Sequence, residues 1–123
     1  MSEKAIQTIS VAVGALAGTV VRPLFRVPKS DSGFGGITLT GVYVACGAAA
    51  TSVLQLVNLG TALGTAVSSV IGTLNGTFVA NVQQAMSITT AYQATGTWIG
   101  IKTLAGGGLD TVTNATLEFV WGK

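Results

Sequence analysis

The chain of 123 residues contains no histidine, which rules out Ser-His-Asp and Cys-His nucleophile systems and removes the commonest zinc ligand. Four carboxylates are left for acid-base work: Glu3, Asp31, Asp110 and Glu118. Asp110 and Glu118 lie close in sequence across a loop and a closing strand signal, and carboxylates about 5 to 10 Å apart are the pair that glycoside hydrolysis uses. In a chain so poor in charge they read more simply as solubilising groups. Asp110-Thr-Val-Thr-Asn114 sets oxygen atoms at alternate positions, but its single carboxylate is little charge for a calcium site. Gly33-Phe-Gly-Gly36 and Gly106-Gly-Gly108 lack the Lys-Ser/Thr and the strand-loop-helix setting of phosphate loops, so they read as turns. Cys46 is alone and forms neither an internal disulfide nor a thiolate cluster. The expectation is no catalysis, no cofactor and no metal.

Two sets of residues keep a binding chemistry. Arg22, Arg26 and Lys29 are the basic cluster, and Pro23 and Phe25 lie among them. Three cations neutralise few phosphates, so acidic groups on a protein partner suit them better than nucleic acid does. Tyr92, Trp98 and Trp121 can stack on a sugar ring, but they suit the core or an interface better. Either use depends on the elements that carry them.

Those elements read as strands. The stretch from Gly36 to Gly47 sets a β-branched run between two glycines and predicts a central strand, with Ile37, Leu39, Gly41 and Tyr43 on one face and Thr38, Thr40, Val42, Val44 and Cys46 on the other. Arg22 to Lys29 holds two prolines, which bar it from a central strand and predict an extended edge with Arg22, Leu24 and Arg26 on one side. Val53–Leu59, Thr65–Val70, Ala85–Tyr92, Gly96–Leu104 and Ala115–Trp121 follow as strand signals, with Leu117, Phe119 and Trp121 sharing a face. Asn75-Gly76 predicts a hairpin turn. Seven or eight short strands at about 8 to 12 residue spacing predict an all-β fold, an antiparallel β-sandwich of jelly-roll type. Residues 1–16 read as an extended N-terminal arm and 17–123 as a single sandwich domain.

The surface chemistry is unusual. Charged residues make up 8% of the chain, against about a quarter in an ordinary soluble domain, and none falls between Ser32 and Ile101. A mean hydropathy of +0.65 raises the question of a membrane span at Ala5 to Val21. That run is short for a span, carries Gln7, Thr8, Ser10 and Thr19, and alternates as a strand does, so no membrane is expected. So little charge offers weak resistance to self-association, which implies that much of the surface is covered by other copies or by a partner.

The order of motifs is also familiar. Ala17-Gly-Thr-Val-Val-Arg-Pro-Leu-Phe-Arg-Val-Pro28, Ile37-Thr-Leu-Thr-Gly-Val-Tyr-Val44, Leu54-Gln-Leu-Val-Asn-Leu-Gly60 and Thr116-Leu-Glu-Phe-Val120 resemble small virion proteins of tailed bacteriophages, in particular capsid decoration (cement) or head-fibre proteins. The resemblance implies a non-enzymatic β-sandwich or jelly roll on the outer surface of the capsid. It also implies a dimer or trimer of the protein, with the major capsid protein as partner. Arg22, Pro23, Phe25, Arg26 and Lys29 are then the expected contacts. The alternative is a glycan-binding adhesion module or a tail or fibre component, with Tyr92, Trp98 and Trp121 as the glycan contacts.

Overall fold

The computed structural model describes residues 5–14, 21–28, 35–47, 50–64, 66–103 and 112–122. Ten strands form among them: β1 (Gln7–Ala12), β2 (Arg22–Arg26), β3 (Ile37–Cys46), β4 (Ala50–Asn58), β5 (Ser69–Phe78), β6 (Gln84–Ala85), β7 (Ser87–Ile88), β8 (Tyr92–Gln93), β9 (Trp98–Thr103) and β10 (Val112–Trp121). The first sheet runs β1-β10-β3-β6, with β8 also on β3, and the second runs β2-β9-β4-β5-β7. Every strand pair in both sheets is antiparallel. Residues 7–12 of the expected arm are β1, paired along its length with β10. Among the described residues no helix is long and apolar enough to cross a membrane.

The sheets pack face to face around one apolar layer. The first sheet contributes Ile37, Leu39, Val42, Val44, Leu117 and Phe119, and the second Leu54, Leu56, Ile71, Ile99 and Ile101. Burying each such side chain contributes about 1.5–3 kcal/mol, so this layer dominates stability. The predicted face of Leu117, Phe119 and Trp121 is the inward face of β10, where Phe119 and Trp121 meet edge to face at 5.6 Å.

Bulges account for the places where strict alternation fails. In β3 the register against β10 skips Thr40. Ile37 and Leu39 therefore join Val42, Val44 and Cys46 on the buried side instead of opposing them. In β2 the register against β9 skips Leu24, so Leu24 and Phe25 both pack on the core, and the arginines do not share a side: Arg22 pairs with Ile101 on the inward side and Arg26 with Trp98 on the outer side.

Three expected elements are corrected. Asn75-Gly76 is no turn; it lies inside β5, opposite Val53 and Ser52, because β5 continues along β4 as far as Phe78. The reversal falls earlier, where the Ser68 amide donates to the Asn58 carbonyl and closes the β4–β5 connection. That closure leaves 66–68 outside any strand, so β5 starts at Ser69 instead of Thr65. Ala85–Tyr92 does not form one strand either, since the chain passes from the first sheet (β6) to the second (β7) and back (β8). Met86 lies at the crossing: its side chain is in the core and its amide donates to the Val42 carbonyl at 2.8 Å.

Candidate partner-binding surface

Pro23 has no N–H to give a ladder, so the strand that holds it belongs on an edge, and β2 is an edge of the second sheet. Arg22 and Arg26 end this strand and are both exposed; Pro23 and Phe25 are half-buried. Phe25 pairs with Ile99 and faces the core, whereas Pro23 pairs with Gly100 and Arg26 with Trp98 on the outer side of the sheet. The end of the strand is closed by the Val27 amide donating to the Thr97 carbonyl and the Gly96 amide donating to the Val27 carbonyl. Arg26 is held there by its Nε, which donates to the Gly96 carbonyl at 3.3 Å. Beside it opens a recess of about 410 Å³ lined by Arg26, Val27, Pro28, Thr95 and Gly96. Lys29 lies outside the described residues.

The register carries the outer face inward from this edge to Gly100 and Val57, which are buried beneath their neighbours. Pro23 pairs with Gly100, Gly100 with Val57 and Val57 with Val70, a line across four strands on the outer face of the second sheet. Val21, Val57, Leu59 and Trp98 form a small apolar cluster there, separate from the core between the sheets. It exists because Gly100 has no side chain: a Cβ at that position would lie 2.9 Å from Leu59 Cδ1 and 3.3 Å from Val21 Cγ1. Leu63, Val67 and Val70 are exposed on the adjoining connection and strand, Leu63 at 62% of its area. The neighbouring line is polar: Lys102, Gln55, Thr73 and Ser87. This face therefore combines an apolar patch with Arg26 and Lys102, groups that suit a partner with apolar and acidic chemistry.

The outer face of the first sheet is different in kind. Ser10 Oγ lies 3.0 Å from Thr116 Oγ1, which also accepts from Gln83 Nε2 at 3.3 Å. Tyr43 donates its hydroxyl to the Glu118 carboxylate, and that bond, with the charge itself, raises the Tyr43 pKa above its ordinary value. The hydroxyl-rich face carries an anion where the second sheet carries cations.

The three candidate sugar-stacking rings are not brought together. Trp98 packs on the small outer cluster, and Trp121 packs on the main core. Tyr92 is on β8, where its hydroxyl donates to the Gly35 carbonyl. Of the carboxylate pair and the alternating oxygen motif, Asp110 lies outside the described residues, while Asn114 Oδ1 is buried with no hydrogen-bond partner among them. No group of three His, Cys, Asp or Glu among the described residues is placed to hold a metal. Cys46 is buried, and burial pushes its thiol pKa up.

Alternation along the Gly96–Leu104 signal sets Trp98, Gly100 and Lys102 on one side of β9, opposite Ile99, Ile101 and Thr103, as the structure has them; that Val57, Val70 and Leu63 lie on the same side of the sheet was not readable. For Val57 the signal is Leu56-Val57, two apolar residues in succession, one for each face of its strand. No protein-family model, no curated protein and no solved structure matches this chain.

Proposed function

We propose that this protein is a structural component of a phage virion, a decoration protein that binds the outer surface of the capsid through the outer face of its second sheet and holds capsomers together without catalysis. The observation that carries this reading is the exposed apolar group Leu63, Val67 and Val70 on the second sheet and its β4–β5 connection, on a nearly uncharged protein whose same sheet carries Arg26 and Lys102. A surface of that kind is costly to leave in water and suits a large protein partner. Of the expected contacts, Pro23 and Arg26 lie on that outer face and Lys29 is kept with them as proposed contacts, whereas Phe25 faces the core and Arg22 the inward side; the major capsid protein and further copies of the chain are the proposed partners.

The strand order supports a jelly roll in particular. β1 pairs with β10, β2 with β9, β3 with β6 and β8, and β4 with β5, so the first half of the chain is wrapped against the second, outermost strand on outermost strand. Eight-stranded double sheets of this wrapping are a common architecture of virus capsid and lectin domains, and fold alone does not select between those uses.

Co-sedimentation tests the reading. Mixed with heads of the cognate phage that lack it, the protein is expected to pellet with them, and an Arg26→Glu/Leu63→Lys variant to stay in the supernatant with an unchanged unfolding midpoint. A folded wild-type protein that does not bind such heads overturns it.

A further inference from the structure

The described strands leave four places where a sheet ends, and three of them are blunted. β2 carries Arg22, Pro23, Arg26 and a bulge. On the far sides, β7, and β6 with β8, are two residues long each. Short strands, charge, proline and bulges are the devices that stop a sheet edge from pairing with another chain. The fourth end is β1, which has none of them: Gln7-Thr-Ile-Ser-Val-Ala12 is uncharged, holds no proline or glycine, and keeps its register against β10 over all six positions without a shift. Among the described residues no strand pairs with its other side.

We propose that β1 pairs antiparallel with β1 of a second copy of this chain across a two-fold axis beside Ser10, joining two first sheets into one continuous sheet. The strand is complementary to itself in that register. Ile9 of each copy stands opposite Val11 of the other, and both are half-buried on the side that faces the core. Thr8 stands opposite Ala12, and Ser10 opposite Ser10, all exposed on the hydroxyl-bearing outer face. Apolar meets apolar and small polar meets small polar, with no like charges to oppose pairing. A two-fold contact needs this self-complementarity, because the same patch serves on both sides. The backbone groups on the free side of β1 supply the hydrogen bonds of strand addition. The proposal does not rest on the virion reading, since it needs only the protein alone in solution.

Sedimentation equilibrium on the full chain tests it. The wild type is expected to be a dimer whose dissociation follows dilution. Ser10→Lys and Ser10→Glu each set like charges face to face at the axis and are expected to weaken dimerisation about tenfold or more. An equimolar mixture of the two is expected to recover the dimer as the mixed species, which a misfolded variant would not do. In a Cys46→Ala background, Ser10→Cys is expected to form a disulfide-linked dimer on oxidation, and Ser68→Cys, on an exposed connection of the other sheet, is not. A wild type that stays monomeric, single variants that dimerise as the wild type does, or a mixture that stays monomeric overturns the proposal.

Discussion

Asn58 Nδ2 donates to Gln93 Oε1 at 2.7 Å, and this bond ties the second sheet to the first within the sandwich. Each amide is satisfied at its other end as well. Gln93 Nε2 donates to the Thr90 carbonyl at 2.8 Å, and Asn58 Oδ1 accepts from the Gly60 amide at 2.7 Å. Gln93 is 2% exposed, so removing its partner strands a buried polar group with no water to replace it. Asn58→Ala and Gln93→Ala are each expected to lower unfolding free energy by about 2 kcal/mol, and the double variant by about 1 kcal/mol less than their sum. Urea unfolding of the four proteins checks this; strict additivity would mean the bridge does not couple the sheets.

How much of this was legible in the sequence follows from what each residue depends on. The strand over Ile37–Cys46, the edge position of the Pro23 strand and the inward face of Leu117 and Phe119 were readable, because each rests on local pattern or on the missing N–H of proline. The face of Ile37 and Leu39 was not, since one extra residue at Thr40 reverses every side chain on one side of it. Asn75-Gly76 read as a turn because its propensity is local, while the nine-position pairing of β4 with β5 that overrides it is not. The Asn58–Gln93 bridge and the outer line through Gly100 depend on contacts between residues far apart in the chain, and no short window contains them.

Tyr43 offers a titration that reports the outer face of the first sheet. Its phenol donates to Glu118, and the carboxylate opposes a second negative charge beside it, so the folded pKa is raised. A raised folded pKa means that the folded state holds this proton more tightly than the unfolded chain does. The resulting stability is fully present below the unfolded phenol pKa and is lost as pH rises through the folded value. Phenolate absorbance is expected to show Tyr43 ionising late in the wild type and earlier in Glu118→Gln, with Tyr43→Phe removing the late step. An unchanged titration in Glu118→Gln would refute the pairing.

Cys46 provides an internal probe of opening. It ends β3, is 1% exposed, and its raised pKa keeps it as the unreactive thiol. Labelling by a thiol reagent is therefore expected to be slow in the native protein and fast in urea. In the native protein the labelled fraction should grow as a slow single exponential in time. A rapid native reaction would show that the end of β3 opens without global unfolding.

Gly100 tests the link between the outer cluster and the edge strand. A Cβ added there would meet Leu59 Cδ1 at 2.9 Å, the Arg22 carbonyl at 3.1 Å and Val21 Cγ1 at 3.3 Å. Leu59 can swing away, but the Arg22 carbonyl is β2 backbone, next to Pro23, which pairs with Gly100, so the methyl group pushes on β2 itself. Gly100→Ala is expected to cost about 1–2 kcal/mol of stability and to speed amide exchange in β2 more than in β10, which belongs to the other sheet. The same change displaces Leu59 from beside Trp98, so Trp98 fluorescence should move toward that of a solvated indole. Loss of stability spread equally over both sheets, with Trp98 emission unmoved, would mean that the outer cluster does not anchor β2. The exposed apolar residues proposed to meet the capsid would then lack a rigid footing beneath them.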